Sequence, residues 1–268
     1  MPSWLKDAWQ AFGLRVINLM ARQGVAPVEI HFGEHDRESL DWYAVDKRAP
    51  TVVFIYGGNW RSGRKEDYRF VADTLAGMGC NVAVPDFPLY PHARFNDILA
   101  GVTRAVEHVL SEIDATGPII LMGHSSGAQM AALLALNPAL LQSRDRIAAM
   151  IGLSGPYDFF PFTEDDHWDL FAPEDHYPAS QPVNYVRADA PELYLLHGEN
   201  DTRVRRGHSK SLMEKQQAAG GQASREVYPG MGHVDAVVSF SRIHRRNNPL
   251  IRDIQRFITQ RFFDEPPI

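Results

Sequence analysis

The chain has 268 residues, 44% hydrophobic and 22% charged, an ordinary globular composition with ample material for a core. A formal net charge of −6 and a pI near 6.0 give no general attraction to nucleic acid or anionic membranes. The one cysteine, Cys80, excludes an internal disulfide, and every apolar stretch is interrupted before the ~18 residues of a membrane-spanning helix.

Trp4, Leu5, Ala8, Trp9, Phe12, Val16, Leu19 and Met20 recur at helical spacing, with Lys6, Asp7 and Gln10 off that stripe. This predicts an amphipathic helix within residues 1–24, ended by Gly24 and Pro27 and expected to pack as a cap element. Membrane or partner binding is its competing use. It lacks the separate basic and apolar regions of a signal peptide, so the cytoplasm is the expected compartment. Val28 to Phe32 and Leu40 to Val45 then suggest two strands joined by a polar turn. Thr51 to Tyr56 is a continuous apolar run, as in a strand covered on both faces, and Gly57-Gly58-Asn59-Trp60 follows it directly.

A helical stretch from Lys65 to Met78 leads to the Cys80 strand, the loop from Pro85 to His92 and a helix from about Arg94 to Ile113. Further strands are expected at Ile119, at Ile147 to Leu153, at Leu193 to Leu196 and at Ser224 to Tyr228. Helices are expected over about Arg205 to Ala219 and Leu250 to Phe262. Alternating strands and helices predict a mostly parallel, roughly eight-stranded sheet with helices on both faces, in a single domain over 1–268. The stretch 157–187 breaks the alternation and is rich in proline, acid and aromatics. It is expected to form a small cap or pocket wall, with Trp60, Tyr157, Phe159 and Phe160 contacting substrate. The basic runs at Arg203 to Arg206 and Arg242 to Arg246 read as solvated helix faces.

The chemistry centres on Gly123-His124-Ser125-Ser126-Gly127, between the apolar run Pro118 to Met122 and the Ala- and Leu-rich stretch Ala128 to Leu136. A Gly-x-Ser-x-Gly pentapeptide at a strand-to-helix corner is a nucleophile elbow. Register chooses Ser125, centred between the two glycines, and leaves Ser126 to offer its backbone N–H to an oxyanion hole. The other half of that hole is expected from the Gly57-Gly58-Asn59-Trp60 loop. A serine needs a base, and eleven histidines are available. His233 lies in the glycine-rich loop after the last strand, whereas His124, His197 and His208 have no such position. Asp201 follows the preceding strand, with Glu199 and Asp235 as rival acids. The order Ser, Asp, His is that of the α/β hydrolases.

These motifs resemble the α/β-hydrolase superfamily, and within it the small carboxylesterases near the hormone-sensitive-lipase and kynurenine-formamidase groups. The family's His-Gly-Gly-x-Trp motif is matched by Tyr56-Gly57-Gly58-Asn59-Trp60, and its acid and histidine loops by His197 to Val204 and Gly232-His233. The Asp86 loop, Pro85 to Pro91, resembles the family's Asp-Tyr-Arg-Leu segment. The resemblance implies an oxyanion hole from the N–H groups of Gly58, Asn59 and Ser126, and no metal or cofactor. Tyr56 in place of the motif histidine would brace the loop through its hydroxyl. The elbow sequence His124-Ser125-Ser126-Gly127-Ala128 favours the formamidase-like or general carboxylesterase branch.

The expected activity is hydrolysis of small-molecule, short-chain esters by a serine carboxylesterase, acting as a monomer or homodimer without nucleic acid or a membrane span. An arylformamidase or other amide hydrolase on the same triad is the alternative, and a ligand receptor on a hydrolase scaffold is the rival from another class.

Overall fold

Apolar runs with no polar face become the innermost strands. In the computed structural model, which describes Asn18 and residues 24–263, β3 (Thr51–Ile55), β4 (Asn81–Pro85) and β5 (Ile119–His124) are buried at every residue. They are flanked by β1 (Val28–His31) and β2 (Ser39–Tyr43) on one side and by β6 (Ile147–Leu153), β7 (Glu192–Gly198) and β8 (Ala223–Tyr228) on the other. The sheet order is β1-β2-β4-β3-β5-β6-β7-β8. The β1–β2 and β2–β4 pairs are antiparallel and all others parallel, so the mostly parallel eight-stranded sheet expected from the sequence is the one observed. The predicted N-terminal helix lies outside the described residues, apart from Asn18 and Gly24.

Helices α1 (Arg69–Ala76), α2 (Phe95–Ser111) and α3 (Ser126–Leu136) connect the first parallel strands. Helix α3 is buried at all its positions, which is why its sequence is apolar all round rather than along one stripe. Further along lie α4 (Asp165–Leu170), α5 (Gly207–Ala218), α6 (Asp235–Val238) and α7 (Pro249–Phe262). Because β3 to β8 run in one direction, the loops after β3, β5, β7 and β8 gather along one edge of the sheet, where open α/β sheets bind their ligands.

Three local expectations change. The Lys65 to Met78 helix begins as a 3₁₀ turn, Lys65–Tyr68, because the Asp86 carboxylate accepts from the Lys65 N–H at 2.9 Å and holds that turn to the β4 end. Strand β7 runs to Gly198, because pairing with Val227 and Tyr228 of β8 carries the ladder through His197 and Gly198. The basic runs are not helix faces: residues 203–206 lie just before α5, and residues 242–246 form turns between α6 and α7.

Candidate active site

Strand β5 ends at His124 and α3 begins at Ser126, leaving Ser125 alone at the corner with φ 55° and ψ −123°. An L-residue is rarely held there, and the strain is of order 1–3 kcal/mol. The flanking glycines are required by contact. A Cβ on Gly123 would lie 2.4 Å from the Gly127 backbone, and one on Gly127 would lie 2.0 Å from the Ile55 carbonyl. The corner is held by the Ser125 N–H donating to the Leu153 carbonyl at 2.9 Å, which ties it to the neighbouring strand β6.

The candidate base, His233, arrives from the loop after β8. His233 Nε2 lies 2.9 Å from Ser125 Oγ, and His233 Nδ1 lies 2.7 Å from Asp201 Oδ2. With Nδ1 protonated the ring donates to the carboxylate, and Nε2 is free to accept the serine proton. Asp201 Oδ1 accepts from the N–H groups of Arg203 and Val204, each at 2.9 Å. His197 Nε2 lies 3.3 Å from Asp201 Oδ2 and donates to the Val204 carbonyl at 2.9 Å. Burial pushes the Asp201 carboxyl upward, but the hydrogen bonds from His197 and His233 outweigh it and hold the group well below the usual carboxylate range. The rival acids point elsewhere. Glu199 is exposed, 3.7 Å from Arg206, and Asp235 accepts from the Gly232 N–H at 2.7 Å within its own turn.

The loop after β3 carries a run of left-handed residues: Gly58 at φ 149°, Asn59 at 54° and Trp60 at 59°. Two consecutive non-glycine residues in that region need support from outside. Ser126 Oγ accepts from the Trp60 N–H at 3.4 Å, and the buried Gln129 accepts from the Trp60 indole N–H at 3.2 Å. At the root of the loop Tyr56 is fully buried, stacked between Tyr68 and Phe87 with ring centres 5.1 and 4.5 Å away. Its hydroxyl donates to Asp86 at 2.6 Å and accepts from Arg37 at 2.9 Å, while Arg37 also donates to the Gly63 carbonyl at 2.7 Å. Removing one partner of a buried hydrogen-bonded cluster costs about 1–3 kcal/mol. Tyr56→Phe is therefore expected to lose about that much stability in urea unfolding and to lower kcat several-fold. A variant unchanged in both would show that the hydroxyl does not brace the loop.

Beside Ser125 a small cleft of about 90 Å³ is lined by Asn59, Trp60, Phe159 and the cap residue His167. Of the four residues expected to contact substrate, Trp60 and Phe159 reach this cleft and two do not. Tyr157 is fully buried with its hydroxyl against Gly152, and Phe160 turns outward at 48% exposure to pack on Phe162 and Trp168. The stretch holding them has no period from which inside and outside can be read. The cap is tied down by Gln129, whose amide donates to the Ser180 carbonyl at 2.7 Å, and within the cap Gln181 accepts from the Phe159 N–H at 2.7 Å. Among the described residues no group of three or more His, Cys, Asp or Glu could hold a metal ion, and no helix is long and apolar enough to cross a membrane.

The profile of the BD-FAE family matches residues 40–216, which is most of the chain and includes Ser125, the loop after β3 and Asp201. The chain belongs to the BD-FAE family. Relatives of this BD-FAE chain include an isoprenylcysteine alpha-carbonyl methylesterase of Arabidopsis thaliana, 27% identical over 88% of this chain and 60% of its own length. A kynurenine formamidase of Salmo salar is 28% identical over 50% of this chain and 47% of its own. The chain thus spans about three fifths of the length of the methylesterase it matches. Among solved structures, the apo form of Thermogutta terrifontis esterase 2 superposes with a TM-score of 0.74 at 19% identity, over 92% of this chain and 98% of that one. At that identity the likeness concerns the α/β-hydrolase fold.

Two further histidines of this BD-FAE chain contact His233 and Asp201. His124 Nε2 donates to the His233 carbonyl at 3.0 Å, tying the loop after β8 to the end of β5. Burial, with His233 close by, pushes the His124 imidazole down to about 3, so it stays neutral. His197 steadies the acid loop through the two contacts given above. Each had a local signal: His124 is the residue before the elbow serine, and His197 stands four residues before Asp201 at a strand end.

Proposed function

We propose that the chain is a serine carboxylesterase that hydrolyses short-chain carboxylic esters. The observation that carries this reading is the line Asp201 Oδ2, His233, Ser125 Oγ, with separations of 2.7 and 2.9 Å, ending on a serine held in a strained elbow. In this mechanism Ser125 Oγ attacks the ester carbonyl carbon as its proton passes to His233 Nε2. The carbonyl oxygen becomes an oxyanion facing the N–H groups of Gly58, Asn59 and Ser126. The N–H of Ser126, first residue of α3, has no partner within the helix. The bond to the alcohol oxygen then breaks, and His233 gives that oxygen its proton. Water attacks the acyl-enzyme, losing a proton to His233, and the acyl–Oγ bond breaks as the proton returns to Ser125. The sum is ester plus water giving acid plus alcohol.

The size of the cleft sets the acyl group. Pockets for drug-sized ligands run to roughly 300–1,000 Å³, several times the space beside Ser125. The expected kcat/KM series on p-nitrophenyl esters peaks between acetyl and butyryl and falls for octanoyl and longer chains. A maximum on long chains would overturn the size argument. The names of the relatives supply two further substrates, an isoprenylcysteine methyl ester and N-formylkynurenine. Faster turnover of the formamide than of any ester would replace the carboxylesterase reading with that of an arylformamidase. No turnover of any of them, together with no labelling by a fluorophosphonate, would remove the hydrolase reading altogether.

A further inference from the structure

The cap places a histidine directly on the oxyanion loop. His167 lies on α4, and its Nε2 is 3.3 Å from the side-chain oxygen of Asn59. The ring is 9% exposed and stands edge-on to Trp60, Phe171 and Phe162, with centres 5.4, 5.8 and 6.1 Å away. These rings fix its plane, so the direction of Nε2 is set by packing rather than by a freely turning side chain. Burial lowers the affinity of His167 for a second proton, partly offset by Glu164, whose carboxylate lies 3.8 Å from Nε2. A neutral ring protonated at Nε2 donates to the Asn59 amide oxygen.

Asn59 is the residue that needs such a partner. Trp60 is held from below by Ser126 and Gln129, but those bonds do not reach the Asn59 side chain. Asn59 sits at φ 54°, and its backbone N–H is one of the donors expected to face the oxyanion. An anchored side chain restricts rotation of the peptide that carries that N–H. Preorganised donors stabilise a transition state because they need not turn when charge develops.

We propose that His167 is a positioning residue of the hydrolytic reaction, a cap-borne latch that holds Asn59 and aims its backbone N–H at the oxyanion. The latch rests on the esterase reading, because it acts on the oxyanion formed in that reaction. It also gives the cap a second duty: α4 completes the electrostatic site as well as covering the cleft.

The test is steady-state kinetics on p-nitrophenyl acetate with His167→Ala, His167→Gln, Asn59→Gly and the His167→Ala/Asn59→Gly double variant. Circular dichroism checks that each is folded. Loss of a whole oxyanion donor costs roughly 10²–10³ in kcat, and mis-aiming one of three should cost less. His167→Ala is expected to lower kcat about 10- to 50-fold with KM changed less than about threefold. His167→Gln, which keeps an N–H donor at similar reach, should recover most of that loss. Asn59→Gly keeps the left-handed backbone and removes the amide, so it should match His167→Ala. The double variant should then be no slower than the worse single, since the two residues form one contact. The latch is overturned by a His167→Ala enzyme with wild-type kcat, by a loss confined to KM, by a glutamine variant as poor as alanine, or by losses that multiply in the double variant. If the wild type itself turns over no ester, the esterase reading fails and the latch fails with it. If the wild type is active and His167→Ala is equally active, only the latch fails.

Discussion

Replacing Ser125 with alanine should lower kcat by roughly 10⁴- to 10⁶-fold while leaving the fold in place. The hydroxyl is the only part of Ser125 that forms and breaks bonds in the proposed reaction, and Ala fits the space that the serine Cβ already occupies. The residue left behind still sits at φ 55°, so the elbow strain is unchanged and the stability cost is small. What activity remains would come from the proposed oxyanion donors and substrate binding, as it does when a serine protease loses its nucleophile. Ser126→Ala is the control. Its backbone N–H persists, but its hydroxyl accepts from the Trp60 N–H at 3.4 Å, so a loss of up to about tenfold is expected from a loosened oxyanion loop. The measurement is kcat on one p-nitrophenyl ester for both variants, with mass spectrometry locating a fluorophosphonate adduct on the wild type. An adduct on Ser126, or a Ser125→Ala enzyme within tenfold of wild type, would assign the nucleophile wrongly.

The parts of the site that could be read from the sequence are those whose causes are local. The elbow needs two glycines because the chain passes within 2.4 Å and 2.0 Å of where their Cβ atoms would be, and that requirement is written in five consecutive residues. The strands are legible because β3, β4 and β5 are buried on both faces, so their inner positions are apolar and the polar Thr51, Asn81 and His124 stand only at strand ends. Asp201 and His233 are legible as candidates from their place after successive strands, since a parallel sheet carries all such loops to one edge. The cap is different. Its 3₁₀ turns Glu174–Ser180 and Pro182–Tyr185 and the short α4 give no hydrophobic period, so Tyr157 inside and Phe160 outside look alike in sequence. The same holds for His167, which meets Asn59 across 108 residues of chain. The loop brace was half legible. Tyr56 was expected to use its hydroxyl, but the partners Asp86 and Arg37 come from two other segments, and nothing near either residue marks the pairing.

Asp201→Asn should cost about 10⁴ in kcat, as the matching change does in a serine protease, and Glu199→Gln at most about tenfold. The Asp201 side chain has no exposed surface and four donors around it: the N–H groups of Arg203 and Val204 on Oδ1, and His233 and His197 on Oδ2. An asparagine can offer only one oxygen to these donors. If that oxygen keeps the two backbone N–H groups, the amide NH₂ faces His233. The imidazole must then accept at Nδ1 and carry its proton on Nε2, and in that tautomer it donates toward Ser125 and cannot take the serine proton. If the amide turns the other way, its NH₂ opposes two backbone N–H donors and the acid loop is pushed open. Either orientation disables the base. The ionised carboxylate also stabilises the fold. Its folded pKa lies below the unfolded value of about 3.9, so that stability is present above about pH 4 and is lost as the pH falls toward the folded value. Asp201→Asn should therefore melt below wild type at pH 7, with the gap closing in strong acid. Glu199, exposed beside Arg206, has no comparable surroundings. The measurement is kcat for both variants on one p-nitrophenyl ester, with thermal unfolding at pH 7 to show that each is folded at the assay temperature. A crippled Glu199→Gln beside a near-wild-type Asp201→Asn would move the acid to Glu199 and require the β7 loop to rearrange during turnover.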